Sequence, residues 1–207
     1  MVVAKAPVPG RVKTRLTTVY SARQAALLAE ASLRDTLEAV AAMPARRRVV
    51  VLDGAAGPWL PAGFEVVPQV AGGLDERLAA AFGQCAGPAL LIGMDTPQVS
   101  AQALRQVLAP DAWAHADAWF GPADDGGFWA LGLARPEPAL LRGVPMSRPD
   151  TGRLQRERLT AAGLTVRDLP LLRDVDTPYD ADVVAAAAPH TRFAAELARV
   201  KHPVAAG

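Results

Sequence analysis

Val2-Val3-Ala4-Lys5-Ala6-Pro7-Val8-Pro9-Gly10-Arg11-Val12-Lys13-Thr14-Arg15-Leu16 opens the chain. A short β-branched run stops at Lys5, a Pro/Gly loop follows, and the loop delivers Lys13 and Arg15 just ahead of a helical stretch. In open α/β sheets, ligands bind at the carboxyl ends of the strands, where loop and helix N–H groups converge. Backbone donors, two ammonium groups and guanidinium groups gathered there suit a polyphosphate. Lysine usage sharpens this reading. The only lysines are Lys5, Lys13 and Lys201, and two of them fall in this loop. A Lys ammonium is a compact point charge that can follow a phosphate as it moves, where Arg prefers a fixed planar fork. A solvated basic turn is the alternative reading of the same residues.

Around that loop, the 207 residues suit a single α/β domain over 1–207, a size that buries about 70% of the unfolded surface. The formal charge of +1 and the lack of a long basic run argue against nucleic acid as a partner. The single Cys85 excludes an internal disulfide and offers no thiolate cluster, which fits a reducing cytoplasm. No apolar run approaches the ~20 residues that span a bilayer, so no membrane partner is expected. Met1 is followed at once by the first strand, and a signal peptide is therefore not expected.

Apolar runs alternate with amphipathic stretches, the pattern of a sheet with helices on its faces. Ser21-Ala22-Arg23-Gln24 reads as a capping box that opens a long helix carrying Leu28, Ala31, Leu37, Val40 and Ala41 on one stripe. Val49–Leu52, Phe64–Val67 and Ala89–Gly93 read as strands, with a helix over Leu74–Phe82 between the last two. Ser100 is expected to cap a helix that turns Leu104, Val107 and Leu108 inward. Strands at 116–120 and 128–133 bracket a turn. A helix over 151–162, a strand at 164–167 and helices near 179–187 and 192–200 complete the order.

Three further stretches carry candidate chemistry. In Gly93-Met94-Asp95-Thr96-Pro97, Asp95 follows the strongest central strand. It reads either as an oxygen ligand for Mg²⁺ (or Mn²⁺) or as a turn aspartate bonding its own backbone. In Asp174-Val175-Asp176-Thr177-Pro178, alternation puts both acids on one face, where a cation relieves their repulsion. The same residues also suit a helix cap. Taken with Asp95, they favour metal, because Mg²⁺ takes one or two carboxylates plus substrate phosphates. In Gly121-Pro122-Ala123-Asp124-Asp125-Gly126-Gly127, paired acids before two glycines suit an acceptor approaching bare backbone. A tight hairpin is the alternative there. Gln69, Gly72, Gly73 and Leu74 precede a helix, where they read as nucleobase contacts or as a plain loop. No G-x-x-x-x-G-K-[ST] loop, G-x-G-x-x-G fingerprint or G-x-S-x-G elbow occurs.

These four motifs, in this order, resemble the family known as "transferase 1, rSAM/selenodomain-associated", some members of which are described as arsenosugar-biosynthesis glycosyltransferases. More distantly the chain is similar to the 2-phospho-lactate and molybdenum-cofactor guanylyltransferases. The resemblance implies a GT-A (nucleotide-diphospho-sugar transferase) fold: three α/β/α layers around a mixed, mostly parallel sheet. It implies that Lys5, Lys13 and Arg15 hold nucleotide phosphates, that Asp95 and Asp176 bind the metal, and that Asp125, Gly126 and Gly127 lie on the acceptor side. Ala4, Gly10, Gln69, Gly72 and Leu74 complete the expected nucleotide contacts, and Asp124 the acceptor contacts. The family's Gly-Asp-Leu-Gly-Glu-Arg segment stands here as Gly72-Gly73-Leu74-Asp75-Glu76-Arg77, and its Trp-Ser-Thr element as Met146-Ser147-Arg148.

The expected activity is metal-dependent transfer from a nucleotide-activated donor, with Lys13, Arg15 and Asp125 as the catalytic residues. In the leading version an NTP gives its nucleotidyl group to a small phosphorylated or phosphonate acceptor and releases pyrophosphate. Glycosyl transfer from an NDP-sugar is the alternative, and a silent nucleotide-binding protein is a third.

Overall fold

The computed structural model describes residues 1–202. Strand β1 (Val2–Lys5) lies mid-sheet between β2 (Val49–Asp53) and β4 (Ala89–Gly93), parallel to both. β3 (Glu65–Pro68) adds in parallel to β2 as an edge. Beyond β4 the direction breaks, because β6 (Phe128–Leu133) inserts antiparallel to both β4 and β5 (Ala118–Pro122). β7 (Val166–Asp168) then pairs in parallel with β5, giving seven strands in the order β3-β2-β1-β4-β6-β5-β7.

Period-two alternation assigns the strand side chains to two cores, except in β6, where an irregularity opposite Gly121/Pro122 puts Trp129 on the face opposite Leu131. On one face, Val2, Ala4, Val50, Leu52, Ile92 and Trp129 pack with Leu33 and Leu37 of α1 (Ala22–Ala41). On the other, Val49, Val51, Leu91, Leu131 and Leu133 meet Leu78 and Phe82 of α2 (Leu74–Phe82) and Leu159 of α3 (Thr151–Ala161). The three-layer α/β/α arrangement expected from the sequence is therefore present. α1 is buried on its far side as well. Leu28 and Ala31 pack there on Val184 of α4 (Pro178–Ala187) and on Phe193 and Leu197 of α5 (Arg192–Lys201). That second contact explains why its apolar stripe is broad, while Ala41, expected on the stripe, is exposed.

Local signals are obeyed where both partners are near in sequence. The Ser21 hydroxyl accepts from the Gln24 N–H at 3.2 Å, and Gln24 Oε1 accepts from the Ser21 N–H at 2.8 Å. The helix expected after Ser100 is a correction. Residues 101–113 form successive turns, with backbone bonds switching between i−4 (Leu108 to Leu104) and i−3 (Arg105 to Gln102, Ala109 to Gln106). Pro110 has no N–H to continue a regular ladder. Ser100 still accepts from the Ala103 N–H, and Leu104 and Val107 are buried as expected. No helix among the described residues is long and apolar enough to cross a membrane.

The turn between β5 and β6 docks on the start of α3 through bare backbone. The Gly152 N–H donates to the Gly126 carbonyl at 2.8 Å. Gly126 has φ +87°, and a Cβ there would sit 1.9 Å from the Pro149 carbonyl oxygen. Its missing side chain thus admits another segment of this chain, the Pro149 carbonyl, where a Cβ would otherwise sit. Gly126→Ala is expected to cost roughly 1–3 kcal/mol through the positive φ and the backbone clash together. Thermal unfolding should register that as a lowered Tm before any assay is run.

Candidate functional site

A cleft of about 630 Å³ opens over the carboxyl ends of β1 and β4, between the N-termini of α2 and α3. Lys5, Lys13 and Arg15 line one side of it, and Asp95, Asp125, Asp174 and Asp176 converge from three other segments. The basic loop is shaped by its apolar residues. Val12 and Leu16 are buried on either side of Lys13, so the loop is pinned at both points. Lys13 itself takes φ 48°, ψ 42°, the left-handed region that L-residues with side chains rarely adopt.

That backbone directs the Lys13 side chain inward. Its ammonium lies 2.8 Å from Asp95 Oδ1 and 3.2 Å from Asp176 Oδ1, and it also donates to the Val175 carbonyl. An ammonium has three donors, and all three are engaged. Burial alone would lower its pKa, but the two carboxylates outweigh burial and the net direction is upward. Arg15 Nη1 takes the other Asp176 oxygen at 3.0 Å. Asp95 and Asp176 thus come together around the Lys13 ammonium, which is held by protein carboxylates on this side of the cleft. Among the described residues, no three His, Cys, Asp or Glu side chains are grouped closely enough to cage an ion by themselves.

Asp174 is the acid to which the family resemblance gives no role. Its Oδ1 is shut off from solvent and has no hydrogen-bond partner. Burial pushes its pKa up to about 7, and the charges of Asp95 and Asp125 push the same way, against the pull of Lys13. The alternation Asp174-Val175-Asp176 carried the signal. Val175 is buried, and its N–H donates to the Asp95 carbonyl at 2.9 Å, which fixes both flanking acids against the end of β4. The cap function that competed for Asp176 belongs to its neighbour. Thr177 Oγ1 accepts from the Asp180 N–H at the start of α4, leaving Asp176 to the cleft.

The remaining expected residues divide into those that reach the cleft and those that shape it. Asp125 and Gly127 line it, and Asp125 Oδ1 accepts from the Gly127 N–H at 2.8 Å. Asp124 turns away to pair with Arg173, whose other nitrogen holds Asp180 at 2.8 Å. Lys5 lines the cleft with only a 3.9 Å approach to Asp53, and Leu74 lines it while 41% exposed. Gln69 does not line it. Its amide donates to the Ala4 and Val51 carbonyls at 2.9 and 3.1 Å and accepts from Arg77 at 3.3 Å, which ties β1, β2 and α2 together. Ala4 is buried, Gly10 turns the basic loop at φ +77°, and Gly72 packs on the Glu76 carboxylate. Arg11 of the basic loop lines the cleft as well, and so does Arg148, which nothing in local sequence separated from the other arginines.

The fold is that of the nucleotide-diphospho-sugar transferases. The chain belongs to a family described as "uncharacterized protein conserved in bacteria", DUF2064, whose profile matches residues 27–148. No curated protein matches it. Among solved structures, a protein from Desulfovibrio desulfuricans G20, provisionally described as a nucleotide-diphospho-sugar transferase, is 26% identical with a TM-score of 0.84, covering 96% of this chain and 92% of its own. CMP:2-keto-3-deoxy-manno-octonic acid synthetase complexed with CTP aligns with a TM-score of 0.58 at 14% identity, over 91% of this chain and 97% of its own. Rv0371c from Mycobacterium tuberculosis H37Rv, in complex with manganese, aligns with a TM-score of 0.52 at 23% identity, over 88% of this chain and 95% of its own. The last two are likenesses of fold.

Asp174 generates a pH prediction. A carboxyl held near 7 when folded and near 3.8 when unfolded binds more protons in the native state between those values. Stability from this group is therefore full below the unfolded value and declines as pH rises toward and past 7. Asp174→Asn is expected to remove that slope, raising the Tm of the ligand-free protein above pH 7 and changing it little at about pH 4. Melting curves of the two proteins across that pH range are the check.

Proposed function

We propose that this chain is a divalent-metal-dependent transferase acting on a nucleotide-activated donor, and that it transfers a nucleotidyl group from an NTP to a small anionic acceptor. The observation that carries this reading is the meeting of a lysine- and arginine-bearing loop with four carboxylates in one cleft at the carboxyl ends of parallel strands. The fold likeness to a CTP-bound synthetase supports it. Lys5 and Arg15 sit where they can bind the β- and γ-phosphates, and Arg11 extends the same positive side. An acceptor oxygen would attack the α-phosphorus while the bond from that phosphorus to the bridging oxygen breaks. Pyrophosphate then leaves with the electron pair. Such chemistry depends on positioning and charge neutralisation, so no protein nucleophile is needed.

The cleft's charge fits a divalent ion. Four carboxylates line it, and Lys13 and Arg15 are the two cationic groups bonded to them. The unpartnered Asp174 oxygen marks where positive charge is short. Hard carboxylate oxygens suit Mg²⁺ or Mn²⁺, which complete their shells with substrate phosphates and water. Asp95 and Asp176 are the residues that would hold the ion, with Asp174 beside them. When bound, the ion would supply neutralisation of the charge that develops on the transferred phosphate. Asp125, whose Oδ2 has no protein partner among the described residues, would orient the acceptor.

A second reading, glycosyl transfer from an NDP-sugar, is favoured by the Desulfovibrio protein's description. There Asp125 would take the proton of an acceptor hydroxyl. Incubation with each NTP or NDP-sugar, Mg²⁺ or Mn²⁺ and a panel of phosphorylated acceptors separates the two. Pyrophosphate marks the first chemistry and released NDP the second, whereas nucleotide binding without either product would leave a silent binding protein.

Within either chemistry, Asp95→Asn is expected to lower turnover by about 10²-fold or more while the protein stays folded. Asp125→Asn should lower kcat with nucleotide affinity unchanged. Asp124→Asn, which loses its bond to Arg173, should lower Tm more than it lowers kcat. Steady-state kinetics and melting curves on the three variants would expose a reversed assignment of Asp124 and Asp125.

A further inference from the structure

Lys13 holds a place that the surrounding oxygens would otherwise offer to a metal ion. Asp95 Oδ1, Asp176 Oδ1 and the Val175 carbonyl all point at its ammonium. Two carboxylates and a carbonyl are the hard donors a small divalent cation takes. The Lys13 side chain is only 6% exposed, and its backbone is held left-handed between the buried anchors Val12 and Leu16. The loop is thus fixed, and what remains adjustable is the four-carbon stem. Lys13 lines the same cleft as Lys5 and Arg15. Lys5 is held by nothing closer than Asp53 at 3.9 Å, so an incoming polyphosphate meets a free ammonium before it meets a committed one. Arg15 stays on the far oxygen of Asp176 at 3.0 Å, which keeps that carboxylate in position if Lys13 leaves.

We propose that Lys13 is a resident cation: in the nucleotide-free protein it occupies the position between Asp95 and Asp176 and keeps a divalent ion from them, and a bound polyphosphate draws it away so that the ion enters with the nucleotide and not before it. This rests on reading the cleft as a nucleotide site. The same ammonium serves two anions in turn, first the carboxylates and then the phosphates. It thereby reconciles a lysine that the sequence marks for phosphate with a structure that shows it on acids. A guanidinium, with its planar fork, would exchange such partners less readily than a point charge.

Mn²⁺ binding to the nucleotide-free chain, followed by electron paramagnetic resonance, tests the blocking step. Lys13→Met should bind Mn²⁺ about tenfold or more tightly than the wild type, the effect of removing one positive charge at ~4 Å under modest screening. Adding Asp176→Asn to that variant should abolish the gain. Equal Mn²⁺ affinity in the wild type and Lys13→Met overturns the proposal. If Lys13→Met fails to fold, the wild type still decides. With three lysines in the chain, the side-chain nitrogen NMR signals are few enough to assign. The Lys13 signal should stay slow-exchanging in Mn²⁺ alone, and inorganic tripolyphosphate should shift it and speed its proton exchange. Displacement by Mn²⁺ alone, or no change at saturating tripolyphosphate, overturns the proposal. If neither tripolyphosphate nor any NTP binds at all, the nucleotide reading and the release step fall together, and the Mn²⁺ comparison decides the blocking step by itself.

Discussion

The Lys13 ammonium is the joint on which the cleft depends. Through one side chain it connects the N-terminal loop to Asp95 at the end of β4 and to the Val175–Asp176 segment that leads into α4. These pieces are distant in sequence, and each would carry unbalanced charge alone. A buried ion pair adds little net stability when its desolvation is counted, yet removing one partner leaves a charge stranded in low dielectric. Lys13 therefore acts more to specify the geometry than to stabilise the fold. The hydrophobic anchors Val12 and Leu16 supply the stability that holds it there.

Insertion of antiparallel β6 between β4 and β5 sets the rest of the site. Because β6 runs against its neighbours, the turn at 123–127 lies at the same end of the sheet as the carboxyl end of β4. The segment after β7 then passes that end, with Leu172 bridging Ala123 and the Val175 N–H on the Asp95 carbonyl. Asp95, Asp125, Asp174 and Asp176 meet as a consequence of topology. Their mutual repulsion is confined to a site where it is useful, since a cation is the natural remedy. The cost appears in Asp174, whose carboxyl is held near neutrality and whose Oδ1 lacks a partner.

Arg173 shows how neighbouring acids are given separate tasks. By holding Asp124 and Asp180 at once, it ties the β5–β6 turn to the first turn of α4. Asp124 is thereby removed from the cleft and Asp125 is left in it. Gly126 of the same turn works through backbone contact, because the Pro149 carbonyl occupies the space its side chain would need.

The elements follow from signals that neighbouring residues carry. Hydrophobic periodicity, capping boxes and Pro/Gly punctuation are local properties, and β1, α1, α2, β4, α3 and α5 lie close to where those signals put them. The failure at 101–113 is local as well, since Pro110 and the mixed bond pattern break a helix that the apolar spacing alone implied. The basic loop and the acids that line the cleft were also legible, as residue types at strand ends. Their partnerships were not. Whether Lys13 faces a phosphate or two carboxylates, whether Gln69 reads a base or braces three elements, and which of Asp124 and Asp125 enters the cleft all depend on contacts between segments far apart in the chain. Charge pairing and burial are set by the sum of everything that packs around a group, and only the tertiary structure brings those terms together.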